Sequence, residues 1–150
     1  MSIWLTTTQQ QSWRAWLSAS MLLTDRLNRD LMAHHKITLA DYEILVWLSE
    51  TADHRLRMSE LAERTLSSRS RLSHQIDRME RAGFVERQEC AEDRRGSFAV
   101  LTESGFQTLV AAAPDHVNSV RTHLVDALDA NEFAALGAAC EKISRRLQDS

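Results

Sequence analysis

Residues 59–105 decide the fold, and they read SELAERTLSSRSRLSHQIDRMERAGFVERQECAEDRRGSFAVLTESG. The stretch opens with a short helix for which we predict Ser59 as the N-cap. A second helix follows with Ser67 or Ser68 as its N-cap, because a serine hydroxyl can accept a hydrogen bond from a free N–H of the first turn. Gly83 lies just past the last turn of this helix, where a left-handed backbone conformation is favoured.

The second of these helices has one apolar face and one polar face. Leu72, Ile76 and Met79 are spaced by four and three residues, which places them on the same side of a helix. The opposite face and its flanks carry hydroxyl, imidazole, carboxylate and guanidinium groups, at Ser67, Ser70, Arg71, His74, Asp77, Arg78 and Arg81. One side is therefore expected to pack into a core, while the other presents hydrogen-bonding groups to solvent.

Two short strands are predicted after this helix, over residues 84–88 and 97–101. The segment between them is charged and ends in Gly96, as expected of a hairpin turn. Residues 53–57 connect the preceding helix to this unit and have room for one further short strand. A helix, a turn, a helix and a hairpin in this order predict a winged helix-turn-helix.

Helices are also predicted on both sides of this unit, in a chain with only four glycines and one proline. A long amphipathic helix is indicated for about residues 9–35, and helix N-termini are indicated at Thr38, Thr102 and Asp129. Pro114 is expected to kink or interrupt the helix that follows Thr102. The predicted fold class is mainly α with a small β-hairpin wing, extended by N- and C-terminal dimerisation helices.

We predict a single domain over residues 1–150. The winged-helix lobe would cover about residues 38–102, and the helical dimerisation region would cover about residues 1–37 and 103–150. The terminal helices are apolar on one face, and the small lobe can cover only part of that surface. A second copy of the same chain is the simplest partner for the rest.

The charge distribution favours the central segment as a binding surface, although the whole chain carries a net charge of −3. Residues 55–95 hold ten arginines against eight acidic residues, so the excess of acid lies elsewhere in the chain. Arginine is suited to bidentate contacts with phosphate and guanine. A solvated helix face would carry similar charges, so the excess by itself is a modest indication.

Other classes of protein find little support in the sequence. No apolar run approaches the roughly 20 residues that span a bilayer, and no basic segment precedes the short apolar patch at the N-terminus, so we predict a cytoplasmic location. Cys90 and Cys140 are not part of a metal-binding pattern, and redox sensing at Cys90 is a minor alternative to two inert thiols. No nucleophile elbow or phosphate loop is found, so we predict neither an enzyme nor a cofactor.

Three segments of the chain resemble the MarR family of bacterial transcription regulators. They are Leu61-Ala62, then RMERAGFVER at residues 78–87, then Asp93-Arg94-Arg95 with LTESG at residues 101–105, and together they span about a third of the chain. The resemblance implies a sequence-specific DNA-binding regulator, a homodimeric repressor at a palindromic operator. A winged-helix module that binds protein and not DNA is the alternative.

The resemblance also implies roles for individual residues. The helix with Ser67 or Ser68 as its N-cap, which is the fourth predicted helix of the chain, would lie in the major groove of double-stranded DNA, and the wing would lie in the adjacent minor groove. Contacts to bases and nearby phosphates are expected from Ser68, Ser70, Arg71, His74 and Gln75. Phosphate contacts are expected from Arg69, Arg78 and Arg87. Arg95 would enter the minor groove, with Asp93 holding its guanidinium and Arg94 sharing or exchanging that role.

Members of this family commonly release DNA when a small molecule binds, and this chain has aromatic side chains suited to an aromatic or phenolic effector. The candidate ligand-binding residues are Trp13, Trp16, His34, His35, Tyr42 and Trp47. The alternative interpretation is that the tryptophans fill the dimer core and that the histidines are solvated.

Overall fold

The structure is a computed structural model that describes residues 2–90 and 96–150. Within these residues the chain is mainly helical, with three short strands in the middle. The elements are α1 (Thr7–His35), α2 (Leu39–Ser49), β1 (Arg55–Arg57), α3 (Met58–Arg64), α4 (Arg69–Arg81), β2 (Val85–Glu89), β3 (Ser97–Leu101), α5 (Glu103–His123), a 3-10 turn (Val125–Ala127) and α6 (Ala130–Gln148). The predicted fold class is confirmed.

Most of the predicted helix starts are confirmed by side-chain caps. The hydroxyls of Thr38, Ser68 and Thr102 accept hydrogen bonds from the first turns of α2, α4 and α5, and Asp129 forms a capping box at α6. The prediction for Ser59 is wrong. Helix α3 begins at Met58, directly after β1, so its N-cap is the last strand residue, Arg57, and no side chain caps it.

Pro114 lies inside α5, which continues without interruption to its end at His123. The predicted interruption is therefore absent. Proline removes only one backbone hydrogen bond from a helix, and α5 has buried residues on both sides of it, at Ala112 and Ser119. Packing of α5 against the rest of the chain compensates for the missing bond.

The three strands form an antiparallel sheet with β3 in the centre and β1 and β2 at its edges. The hairpin pairs Val85 with Leu101 at its base, and the short strand in the connector is confirmed as the third strand. Strand β2 begins one residue later than predicted. The reason is that the N–H of Phe84 still donates to the carbonyl oxygen of Met79, closing the end of α4 around Gly83 with its φ of 85°.

The core lies inside the winged-helix lobe and is closed by parts of α1 and α5. Leu72, Ile76 and Met79 of α4 are at most 2% exposed, so the predicted apolar face is confirmed. Helix α5 begins directly beside the turn after α4, where Gly105 leaves no room for a side chain. A Cβ atom at this position would lie 2.1 Å from the carbonyl oxygen of Phe84.

The outer helices are much less covered. Helix α1 packs along α5, while α6 has no buried residue at all. Large apolar side chains are exposed on these helices, at Trp13, Trp16, Leu17, Met21, Leu22, Met32, Val110, Val117, Phe133, Ile143 and Leu147. Among the described residues, no helix combines the length and the hydropathy that crossing a membrane requires.

Candidate nucleic-acid interface

Helix α4 presents a continuous polar surface to solvent. Its three buried apolar side chains fix its rotation, so the opposite side faces outward. The residues that sequence periodicity placed there are exposed, at Ser70, Arg71, His74, Asp77, Arg78 and Arg81. Ser68 is exposed as well, and its hydroxyl accepts a hydrogen bond of 3.1 Å from the N–H of Arg71, which fixes the start of the helix.

Gln75 does not share this outward position, because it is only 7% exposed. Its Nε2 donates a hydrogen bond of 3.2 Å to Oδ1 of Asp41, whose other oxygen accepts from the N–H of Thr38 at the start of α2. The amide thus joins α4 to α2. Gln75 lies three residues after Leu72 and next to Ile76, so it falls at the edge of the buried stripe. Spacing alone does not show whether a side chain at that edge is buried or exposed.

Arg87 lies on β2, and its side chain is directed back onto α4. Its Nη2 donates to the carbonyl oxygen of Ser73 at 2.8 Å and pairs with Oδ1 of Asp77 at 2.8 Å. Its backbone N–H also donates to Oε2 of Glu80 at 2.8 Å. Three residues of α4 therefore hold this strand, so Arg87 connects the hairpin rigidly to the polar helix.

Arg69 and Arg78 have different surroundings from Arg87. Both are exposed, and neither forms an ion pair with any side chain that the structure describes. Their guanidinium groups remain available to an external anion. Asp93, Arg94 and Arg95, which the sequence assigned to the wing, lie outside the described residues, although the hairpin leading to them is closed by a hydrogen bond from Cys90 N–H to the carbonyl oxygen of Gly96.

Strand β1 adds two arginines that sequence analysis treated as part of a connector. Arg55 and Arg57 are both exposed, with Leu56 buried between them. Their guanidinium carbons lie 4.5 Å and 5.5 Å from the ring centroid of Phe98 on β3. The polar–apolar–polar alternation of RLR was the available signal for a strand with both arginines on one face.

The six candidate effector residues are not brought together within one chain. Trp13 and Trp16 are about half exposed near the start of α1, and the 1.5 Å rise per residue places them roughly 30 Å from His34 and His35 at its end. Tyr42 is buried against His116, with 4.3 Å between ring centroids. The sixth residue, Trp47, has the guanidinium carbon of Arg64 5.3 Å from its ring centroid.

The junction of α1 with α5 is polar and tightly bonded. Oγ of Ser119 donates to Oδ2 of Asp30 at 2.6 Å, and this hydrogen bond is the main reason that the pKa of Asp30 is lowered. Nε2 of His35 lies 2.7 Å from Oδ2 of Asp115. Burial lowers the pKa of His116, whose Nδ1 has no hydrogen-bond partner among the described residues, and burial raises the pKa of Tyr42.

Comparison with known proteins addresses what this arrangement is used for. The model of the MarR family matches residues 35–96. The crystal structure of AbsC, a MarR family transcriptional regulator from Streptomyces coelicolor, is 48% identical and has a TM-score of 0.94, over 99% of this chain and 100% of that one.

The chain belongs to the MarR family. A second MarR family structure, Sco3205 from Streptomyces coelicolor in complex with DNA, is 39% identical with a TM-score of 0.95, over 99% of this chain and 92% of that one. The two structures most useful for comparison, AbsC and Sco3205, are transcriptional regulators of that family, as the sequence-based expectation of a regulator and not an enzyme implies.

Among curated MarR-type regulators, PecS from Dickeya dadantii (strain 3937) is 28% identical over 106 residues. The matched segment is 70% of this chain and 64% of PecS, so the chain spans less than two thirds of the length of that relative.

Proposed function

We propose that this MarR family protein is a sequence-specific DNA-binding regulator that acts as a homodimeric repressor at a palindromic operator. One observation carries the proposal: an exposed polar face on α4 is held rigidly beside a β-hairpin, and the apolar face behind it is fully buried. A helix of this width fits the major groove of B-DNA. A 39% identical relative of nearly the same fold was crystallised with DNA.

We assign the proposed DNA contacts according to exposure. Base contacts and nearby phosphate contacts come from Ser68, Ser70, Arg71 and His74, and Arg69 and Arg78 contact phosphates. Gln75 and Arg87 are not assigned to DNA contacts. Their side chains form hydrogen bonds with α2 and α4, respectively, and thereby set the position of the polar helix. At the wing, Arg95 enters the minor groove with Asp93 and Arg94 beside it, on the basis of sequence alone.

The proposed homodimer follows from the outer helices. Residues 1–37 and 103–150 form the dimerisation region, around the winged-helix lobe at residues 38–102. Helix α6 carries Phe133, Leu136, Ile143 and Leu147 on one face, yet buries none of its residues within the chain. A second copy supplies the complementary apolar surface, and two-fold symmetry then places two α4 helices on half-sites about one helical turn apart.

The decisive experiment selects bound sequences from a random pool of duplex DNA with the purified protein. We expect an inverted repeat with the spacing of a two-fold dimer, and a complex of two chains with one duplex in analytical ultracentrifugation. The alternative, a winged-helix module that binds protein, predicts no enrichment of any sequence. Absence of enrichment at low salt would therefore reject the proposal.

The role of Arg78 tests the division into base and phosphate contacts. Arg78→Ala should weaken binding to selected and unrelated sequences about equally, and it should lower the slope of log K against log salt by about one. Arg71→Ala should instead cost about 1–3 kcal/mol on the selected operator and relax the preference at one position of each half-site. A change of preferred sequence in Arg78→Ala with an unchanged salt slope would contradict the assignment.

Release by a small aromatic effector is a further part of the proposal. Because Trp13 and Trp16 lie far from His34 and His35 along α1, a shared site requires side chains from both subunits of the dimer. Tryptophan fluorescence titrated with a panel of phenolic acids tests this, followed by gel shifts with any compound that binds. If none of them changes the fluorescence or the DNA affinity, the effector assignment is rejected.

A further inference from the structure

A cleft of about 460 Å³ lies between the polar helix and the sheet. Arg69 and Ser73 of α4 form one wall, and Arg87 with Ser97 of the hairpin forms the facing wall. Arg57 and Ser59 close it where β1 joins α3. The cleft is therefore bordered by each of the elements that would contact the two neighbouring grooves of a bound duplex.

The described lining of this cleft is cationic. It contains three guanidinium groups and three hydroxyls, and none of its described side chains is a carboxylate. Arg87 is compensated by Asp77 at 2.8 Å. Arg57 and Arg69 form no ion pair with any of the side chains that the structure describes, and a concave site with charge of one sign concentrates the opposite ion.

Arg57 is held in a way that suits an anion contact. Its guanidinium carbon lies over the ring of Phe98, 5.5 Å from the centroid, and a cation–π contact of this kind leaves N–H groups of an arginine able to donate to an anion. Arg55 differs, although it lies over the same ring. It forms an ion pair of 2.7 Å with Asp53 and does not line the cleft.

We infer that the cleft holds one backbone phosphate of the operator, with Arg57 and Arg69 as its charged contacts. The inference rests on the proposed function. A helix in the major groove and a wing over the adjacent minor groove lie on either side of one sugar-phosphate strand, since that strand separates the two grooves. The cleft lies between these two elements, so the strand passes over its mouth, and Ser59 and Ser73 add hydroxyl donors to the phosphate oxygens.

The first test compares Arg57→Gln with the matched control Arg55→Gln on an operator selected from a random DNA pool. Loss of the Arg57 charge, with Arg69 still at the phosphate, should reduce the magnitude of the slope of log K against log salt by up to about 0.9, which corresponds to at most about eightfold weaker binding near 0.1 M salt. Arg55→Gln should keep the wild-type slope, and Arg57→Lys should restore most of it because the charge is retained. Thermal unfolding of all variants checks that the fold is preserved.

The second test locates the phosphate and separates the two sources of this ligand. Single neutral methylphosphonate linkages are placed along one half-site, and one position should weaken the wild type and the Arg55 variant more than it weakens Arg57→Gln, in which Arg69 is the remaining charged contact to that phosphate. Titration with inorganic phosphate, followed by NMR, tests the cleft as a site for the free ion.

The outcomes distinguish this inference from the proposed function. If the wild type binds no DNA, the proposed function fails. If the wild type binds and Arg57→Gln keeps its slope and its sensitivity to every methylphosphonate, only the cleft assignment is overturned. Loss of inorganic phosphate binding in Arg57→Gln with unchanged DNA affinity would likewise overturn it, because the cleft would then serve a free anion.

Discussion

The winged-helix lobe and the outer helices differ in how they cover their apolar side chains. In the lobe, Leu45, Leu48, Leu61 and Ile76 are completely buried. In α6, Ile143 and Leu147 are 51% and 70% exposed, and the tryptophans of α1 are about half exposed. The lobe is therefore complete within one chain, while the outer helices have surface that one chain leaves uncovered.

This difference separates two roles that one sequence has to encode. The lobe needs a rigid internal core, because that core sets the rotation of α4 and hence which side chains face outward. In the proposed homodimer, the outer helices need an apolar surface that stays available to a second copy. Substitutions in the two regions should consequently be detected by different measurements.

The largest effect is expected from the core of the lobe. Ile76→Ala removes a side chain with no exposed surface, so it should lower the free energy of unfolding by about 2–5 kcal/mol. The matched control on the same helix is His74→Ala, which is exposed and should change stability by less than about 0.5 kcal/mol. Urea denaturation followed by circular dichroism measures both, and equal effects would mean that α4 is not held as described.

A pair of glycines compares a tightly packed position, where α5 meets the lobe, with an open position on α6. Gly105→Ala should destabilise by about 1–3 kcal/mol or more, because the new methyl group would lie 2.1 Å from the carbonyl oxygen of Phe84. Gly137→Ala, in the middle of α6, meets no atom of the chain within 4 Å and should stabilise by about 0.5–1 kcal/mol through helix propensity. Thermal unfolding should show opposite shifts, and shifts of the same sign would contradict the comparison.

A charged substitution tests whether the apolar face of α6 lies in the proposed dimer interface. Ile143→Glu should weaken self-association by at least about tenfold, since an unpaired carboxylate would be buried between subunits. Ala138→Glu carries the same charge on the opposite side of the helix and should leave association unchanged. Sedimentation equilibrium measures both, and a normal dimer in Ile143→Glu would exclude this face from the interface.

The smallest expected effect concerns pH at the boundary between the two regions. Burial lowers the pKa of His116 below its ordinary value of 6.5, so the folded state binds this proton less readily than the unfolded state. The imidazole is neutral in both states above pH 6.5, and folding is then unaffected by its protonation. As the pH falls below 6.5, the unfolded state gains the proton more readily, so the free energy of unfolding decreases. His116→Phe should therefore lose less stability between about pH 7 and pH 5 than the wild type.

Urea denaturation of the wild type and of His116→Phe at about pH 7 and pH 5 measures this difference. Phenylalanine retains a ring against Tyr42, so the packing at this contact is preserved. An unchanged pH dependence in His116→Phe would show that other groups cause the loss of stability in acid.

Much of the fold could be predicted because its causes are local. Spacing placed Leu72, Ile76 and Met79 on one face of α4, and a single glycine marked the end of that helix. Ser59 was misassigned because the preceding strand continues directly into α3, and a pairing between strands distant in sequence is not visible in local patterns. The interruption predicted at Pro114 is absent because packing against other helices, and not the helix by itself, keeps α5 continuous, while a kink there stays a prediction.

The candidate interface, like the fold, could be predicted where its causes are local. Exposure of Ser70, Arg71, His74 and Arg78 follows from the period of the helix. The position of Gln75 could not be obtained this way, since its partner Asp41 lies on another helix and a side chain at the edge of a stripe can turn either way. Arg57 was missed for a related reason: its importance depends on a cleft whose walls come from separate elements.

The sequence by itself determined the order of the elements, the two faces of α4 and membership of the MarR family, because these depend on spacing and on contiguous motifs. Tertiary structure alone decided that Arg87 binds α4, that Gln75 is internal and that Arg57 and Arg69 line one cleft. Those features depend on distances between residues far apart in the chain. Such distances are set by the packing of the whole core, which no local pattern encodes.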